Sequence, residues 1–398
     1  MRLATRMSKL PPSPTLAMNA KAAALRAQGK DVISFAAGEP DFDTPDHIKE
    51  AAVRALKEGK TKYTEVRGIL PLREAVCDWA AEHKGLRYDP KKQVVVSVGG
   101  KQAVFNLLHV LLEAGDEIVI PAPIWVAYEP VAVLAGAKVV LVQTTEESGF
   151  KLTPEQLRRA ITPRTKLVVL NSPCNPTGCV YSRRELEAIA QIVLASGAMV
   201  LSDEIYGKIL YDGEAHVSIA SLSPEMQERT ILLDGFSKTY AMTGWRLGYT
   251  LGPAPIIEAM DTLQSQSTSN AVTFAQWAGV AALRGPHDFL KGWVAEYDRR
   301  RRAIVEGLNA IEGLSVVTPK GAFYVFPRVS GLFGRKGPAG PIQDSNGVAL
   351  YLLEHAECAG VPGSAFGDDG FLRLSYATSY ENVQKGIERI RAAVSQLG

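Results

Sequence analysis

"TILLDGFSKTYAMTGWRLGYTLG", residues 230–252, decides the fold. It begins with a β-rich run, "TILLD", and ends with another, "RLGYTLG" from 246. Between Asp234 and Arg246 the only charged side chain is Lys238, with Gly235 and Gly244 loosening the backbone on either side. A surface loop carries more charge than this, and a core strand carries no lysine. Five similar runs precede it: "VVVSV" at 94, "EIVI" at 117, "KVVLV" at 138, "KLVVL" at 166 and "AMVLS" at 198. They are nearly continuous in Val, Ile and Leu, as expected for strands buried on both faces. Helical stretches separate them; in 101–113, Val104, Leu107, Leu108, Leu111 and Leu112 make one apolar stripe. This alternation predicts an α/β domain with a mostly parallel, seven-stranded sheet.

After residue 285 the texture changes. A basic helical stretch covers about 287–312, including "YDRRRRAIVEGL". Short strands follow at "SVVTP", "AFYVF" and "FLRLSYA", then a closing helix from Tyr380. The pattern predicts a smaller α+β domain, with 331–345 as an exposed Gly/Pro-rich loop. "PPSPT" at 11–15 reads as an extended arm before a first helix, about 16–29, that lies with the small domain. The expected division is 1–45 for the arm and part of the small domain, 46–285 for the large domain, and 286–398 for the rest of the small one.

The 398 residues are 46% hydrophobic and 22% charged, with a formal net charge of +2. That balance gives no bulk attraction to nucleic acid or membrane, and no apolar run has the length of a span. The first thirty residues are basic and lack acids; they read as a basic arm, since no apolar core or cleavage pattern follows. The four cysteines form no CxxC pair and no zinc-spaced set with His, so no metal is expected, and reduced thiols in the cytoplasm are the default.

Open α/β sheets bind ligands outside the carboxyl ends of their strands. Four of the runs end there in unusual polar sequence: Gly99-Gly100-Lys101, "NSPCNPTG" at 171–178, Asp203-Glu204-Ile205-Tyr206, and "GFSK" at 235–238. Gly100 and Lys101 open a helix whose free N–H groups suit a phosphate, although the stretch is neither a P-loop nor GxGxxG. Asp203 needs a positive partner or serves as a helix cap. Tyr206, three residues on, faces the same side as Asp203 if a helical turn follows. Asn175 precedes Pro176, whose ring extends the backbone and can aim the amide inward. Lys238, in weakly polar surroundings near Arg246, is expected to have a lowered pKa and a free amine able to attack a carbonyl. One chemistry uses them all: a lysine joined to pyridoxal phosphate, an aspartate holding the pyridine nitrogen protonated, a phosphate cup, and an aromatic such as Trp125 on the ring face.

With these residues in place the chain resembles the fold-type I aminotransferases of class I, in particular the prokaryotic-type aspartate aminotransferases. The resemblance covers nearly the whole length. It is carried by "AAGEPDFDTP" (36–45), "GKTKYTEVRGILPLREAV" (59–76), "SVGGKQAVFN" (97–106), "NSPCNPTG" (171–178), "SDEIYGKILYDG" (202–213), "SKTYAMTGWRLGY" (237–249), "GAFYVF" (321–326) and "RLSYATSYEN" (373–382). It implies a pyridoxal 5′-phosphate enzyme transaminating between an L-amino acid, above all L-aspartate, and 2-oxoglutarate.

The resemblance also implies roles. Lys238 is the Schiff-base lysine and proton shuttle, and Asp203 the pyridinium partner. Asn175 and Tyr206 meet the phenolic oxygen, and Trp125 stacks on the ring. Gly100, Lys101, Ser237 and Arg246 line the phosphate side. Tyr63 reaches the phosphate of a neighbouring subunit, which implies a homodimer with shared active sites. Arg373 clamps the substrate α-carboxylate, a task suited to its planar fork, and Gly38 adds a backbone contact. Trp125 and Asn175 also border the substrate. Lys101, Ser13 and Thr15 match positions that meet a side-chain carboxylate. Cys174 stands where relatives have Asn, and Pro11 where those accepting prephenate carry a basic residue. The alternatives are an aromatic, prephenate or alanine aminotransferase, or a β-lyase that releases pyruvate and ammonia without an acceptor. A regulator with a DNA-binding domain ahead of this fold is not expected.

Overall fold

Seven strands form one sheet in the computed structural model, which describes residues 3–10 and 14–398. They are β1 (Val94–Ser97), β2 (Glu117–Ala122), β3 (Lys138–Gln143), β4 (Thr165–Asn171), β5 (Met199–Asp203), β6 (Thr230–Gly235) and β7 (Gly248–Leu251). The spatial order is β1-β7-β6-β5-β4-β2-β3. Only β7 runs against its neighbours, so the carboxyl ends of β1, β4, β5 and β6 share one rim.

Successive strand residues leave on opposite faces, and both faces are covered. Ile118 and Ile120 pack with Val104 and Leu107 of the helix Gly100–Leu111, whereas Val119 packs with Leu186 and Ile189 of the helix Arg183–Ser196. The expectation of two-sided burial fails for β3. It is one of the two edge strands and is partly open along its length, with Leu141 exposed, whereas β1 at the other edge is buried throughout.

A second core gathers Met18 and Ala22 of the helix Pro14–Ala27, Phe35, and the side chains of Tyr297, Ile304, Phe323, Leu374 and Ile390. Its strands are short. Tyr324–Val325 and Leu372–Ser375 pair antiparallel, and Ile33–Ser34 pairs parallel with Cys358–Ala359. Three expectations are corrected here. "SVVTP" is not a strand: Ser315 makes a single bridge to Arg328, and Pro319 lacks the N–H that a ladder needs. Segment 331–345 is not simply an exposed loop, because Leu332 and Ile342 are buried around a two-residue hairpin, Lys336–Gly337 with Gly340–Pro341. Thr15 belongs to a helix and not to an extended arm.

The basic run on the helix Phe289–Asn309 is only partly a solvated face. Arg301 is buried and pairs with Asp212 at 2.7 Å, and Arg300 pairs with Asp41 at 2.8 Å. The Asp212 pair ties the second core to the segment that leaves β5, and the Asp41 pair ties it to the segment leading into the helix Asp46–Lys57. Among the described residues no helix is long and apolar enough to cross a membrane.

Candidate active site

A cleft of about 450 Å³ opens at the carboxyl rim of the sheet, floored by β4, β5 and β6 and walled by segments of the second core. It is lined by eleven of the expected residues: Gly38, Gly100, Lys101, Trp125, Asn175, Asp203, Tyr206, Ser237, Lys238, Arg246 and Arg373. Tyr63 is not among them; it is 92% exposed. Ser13 lies outside the described residues, as does the side chain of Thr15.

Lys238 follows β6 and turns its ammonium into the cleft, where Nζ donates to the carbonyl of Gly38. The rings of Tyr206 and Phe323 flank it with centroids 5.7 and 5.8 Å away. Burial, followed by the positive charges of Arg373 and Arg246, brings its pKa down to about 8; Glu39 and Asp203 oppose the shift. At pH 7 about one such lysine in ten is then a free amine, against roughly one in three thousand for an ordinary lysine.

Asp203 ends β5 and is buried. Its carboxylate accepts from the hydroxyl of Tyr128 and from the amide of Ile205, the latter at 3.2 Å. Burial pushes its pKa up to about 6, against the pull of those two donors, with Asp234 and Glu204 adding to the rise. Both partners are neutral, so the carboxylate retains lone pairs and an uncompensated charge for a cationic ligand. The segment after Asp203 is a turn and not a helix, yet Tyr206 reaches the same cleft and its hydroxyl meets that of Tyr324 at 2.8 Å.

Arg373, on the strand Leu372–Ser375, is 2% exposed and has no carboxylate partner among the described residues. Nη2 donates to the carbonyl of Ala36 at 2.7 Å and Nη1 to Oδ1 of Asn175 at 3.1 Å, while Nε is buried with no partner. A buried guanidinium without an anion is costly, so this one is poised for a carboxylate. Arginine only donates, so Asn175 must present its oxygen there and keep its NH₂ for a ligand. The carbonyl of Gly38 is engaged by Lys238, which leaves its amide as the available backbone contact. A Cβ on Gly38 would stand 3.1 Å from the Tyr324 hydroxyl, so a side chain there would crowd the cleft.

At the other end, Gly99 has φ +77° and a Cβ on it would lie 2.6 Å from Nη2 of Arg246. Only glycine allows both that backbone and the approach of the guanidinium to the first turn of the helix Gly100–Leu111. Arg246 itself has φ +54°, a conformation that costs a non-glycine residue on the order of 1 kcal/mol or more. Helix N-terminus, Ser237 and Arg246 together make an anion cradle. Lys101 sits at the exposed rim with Nζ 5.5 Å from the Trp125 ring centroid.

Sequence reasoning missed Tyr128, Tyr324 and Asn171. Asn171 donates from Nδ2 to the Asp203 carbonyl at 3.0 Å and accepts from the Asn175 amide at 2.9 Å, locking one strand end to the next. Tyr128 lies three residues after Trp125 in "PIWVAYEP", a one-turn spacing that could have paired them.

Residues 30–390 match the family model for aminotransferases of class I and II. The chain is 46% identical over 390 residues to the aspartate aminotransferase of Geobacillus stearothermophilus, with 98% of each chain covered. It is 44% identical over 398 residues to the aspartate/prephenate aminotransferase of Nitrosomonas europaea, covering 99% of this chain and 100% of that one. Its structure is similar to that of the aspartate aminotransferase of Thermus thermophilus with maleate, at a TM-score of 0.92 and 46% identity, covering 99% and 100% of the two chains.

Proposed function

The chain belongs to the class I and II aminotransferases, and from that membership we propose that it moves the α-amino group of L-aspartate to 2-oxoglutarate, giving oxaloacetate and L-glutamate. Its cofactor is pyridoxal 5′-phosphate. The cleft fits that group: it offers an amine of lowered pKa, a buried carboxylate lacking a cation, and an anion cradle at a helix N-terminus. When bound, the cofactor supplies an electrophilic carbonyl carbon and a ring that takes up an electron pair.

The residues divide the remaining work. Lys238 would hold the cofactor through Nζ, and the same Nζ, when free, would take the proton from the substrate Cα. Asp203, oriented by Tyr128, would offer its charge to the ring nitrogen. Asn175 and Tyr206 would serve the phenolic oxygen, and Trp125 the ring. Gly100, Ser237 and Arg246 would take the phosphate, with Lys101 nearby. Arg373 and the Gly38 amide hold the substrate α-carboxylate. Lys101, with Ser13 and Thr15, selects a side-chain carboxylate; binding of the dicarboxylate maleate to the Thermus relative supports that choice.

Tyr63, with its ring exposed, is assigned to the phosphate of a partner subunit, so the active form is a homodimer; with its four cysteines all free, the compartment proposed is the cytoplasm. Residues 46–285 hold the cofactor, and 286–398 with 1–45 supply the substrate side. The observation that carries the reading is the meeting of Lys238, Asp203 and Arg373 in one cleft, none of them ion-paired among the described residues.

Purified full-length protein with added cofactor is expected to show a near-visible absorbance band that L-aspartate bleaches. A chain that stays colourless overturns the reading. The name of the Nitrosomonas relative favours prephenate as a second acceptor. Initial rates with aspartate, glutamate, tyrosine and alanine as donors, and with 2-oxoglutarate and prephenate as acceptors, decide substrate choice. Arg373→Lys is expected to raise KM for both dicarboxylate substrates about 10- to 100-fold, because an ammonium cannot reproduce two parallel bonds. Unchanged KM values in steady-state assays would remove Arg373 from that role.

A further inference from the structure

Beside the cleft lies a second, much smaller cavity of about 30 Å³, lined by Lys84, Glu204, His216 and Asp234 among others. Glu204 is 1% exposed and Asp234 is also buried. They stand at the ends of β5 and β6, next to each other across the last rung of the ladder, where the Glu204 amide donates to the Leu233 carbonyl at 2.9 Å. Two like charges this close in a low-dielectric site repel, and the repulsion pushes apart the strand ends that carry them. Glu204 follows Asp203 directly, and Asp234 lies four residues before Lys238.

One cation bridges the two. Lys84 is the last residue of the helix Leu70–Lys84, its side chain is 5% exposed, and Nζ lies 2.6 Å from Glu204 and 3.2 Å from Asp234. A positive charge at a helix C-terminus is also favoured by the helix dipole. Oε1 of Glu204 further accepts from Ser202 and Ser218, while Oε2, which Lys84 engages, also meets Nε2 of His216 at 2.7 Å, so both oxygens are fully used.

We propose that Lys84 is a positioning residue: by binding Glu204 and Asp234 at once, it fixes the spacing of the two strand ends from which Asp203 and Lys238 enter the cleft. The inference rests on the cofactor roles assigned to Asp203 and Lys238. Lys84 touches neither the cleft nor its ligands, so its effect is transmitted through the backbone of both strands.

The test compares full-length wild type, Lys84→Met and Lys84→Met/Asp234→Asn, reading the Kd for pyridoxal 5′-phosphate by near-visible absorbance and the melting temperature without cofactor. Asn at 234 keeps an oxygen for the Gly235 amide, a 2.8 Å bond in the wild type, while removing the repulsive charge. Lys84→Met is expected to weaken cofactor binding about tenfold or more, or to fail to fold, and the double variant to recover most of the affinity. Recovery on removing a second charge supports the clamp, because a packing defect left by the lysine would not be repaired by it. Wild-type affinity in Lys84→Met, or a double variant no better than the single, overturns the clamp alone. A wild type that binds no cofactor takes down the assigned roles as well.

Discussion

Lys238→Ala abolishes the near-visible band of the cofactor-loaded protein and lowers transamination about 10³-fold or more. The size follows from two losses in one side chain. Among the described residues Nζ is the only amine in the cleft interior, since Lys101 sits at the exposed rim and Arg246 and Arg373 carry guanidinium groups instead. The same nitrogen then has to take a proton from the substrate Cα, and Asp203, the other cleft group with a pKa near neutrality, is committed to the ring nitrogen in this reading. Lys238→Arg is expected to fail equally, since a guanidinium does not give up its proton. The reaction of the unloaded protein with added cofactor should rise with pH through about 8, because the amine must be free to attack. Absorbance at several pH values checks this; a rate flat from pH 6 to 9 would contradict the lowered pKa.

Asp203→Asn leaves the shape of the site intact and is expected to cut kcat about 10²- to 10³-fold with a much smaller change in KM. The charge is what matters. Burial already presses the carboxyl toward its neutral form, with a pKa of about 6, so a cationic ligand gains strongly from meeting it. The sign follows from that value. Above about pH 6 Asp203 is a carboxylate ready for a protonated ring nitrogen; as the pH falls through 6 it takes up a proton and the attraction is lost. Wild-type cofactor affinity should therefore weaken on acidification through pH 6, and in Asp203→Asn that inflection should vanish. Equilibrium titrations at pH 5 to 8 decide it, and an inflection that persists in the variant assigns the proton elsewhere.

Much of this was legible in the chain. A strand buried on both faces leaves a mark, because it needs apolar residues without interruption. That mark located the seven strands of the large sheet within a few residues, β3 among them although its faces turn out partly open. Polar residues at the carboxyl ends of such strands have few reasons to be there. Lys238, Asp203, Asn175 and Gly100 could therefore be picked out before any geometry was known. In the second core the signal was weaker. Its strands are two to four residues long, too short for a period, and "SVVTP" read as one of them although it makes a single bridge.

Sequence by itself determined the fold class and singled out the amine and the carboxylate, since each is a matter of residue type at a strand end; Arg373, inside the strand Leu372–Ser375, was reached only through the family resemblance. What only the tertiary structure decided is which neutral or charged neighbour each one meets. Tyr128 on Asp203, Tyr324 on Tyr206 and Lys84 between Glu204 and Asp234 join residues 75, 118, 120 and 150 positions apart in the chain. The pKa of a buried group is set by burial and by charges a few ångströms away, and separation along the chain says nothing of either. For that reason the lone lysine of 230–252 could be read as a nucleophile from its surroundings in sequence, while Lys84, a helix-end lysine that bridges two strand ends, could not.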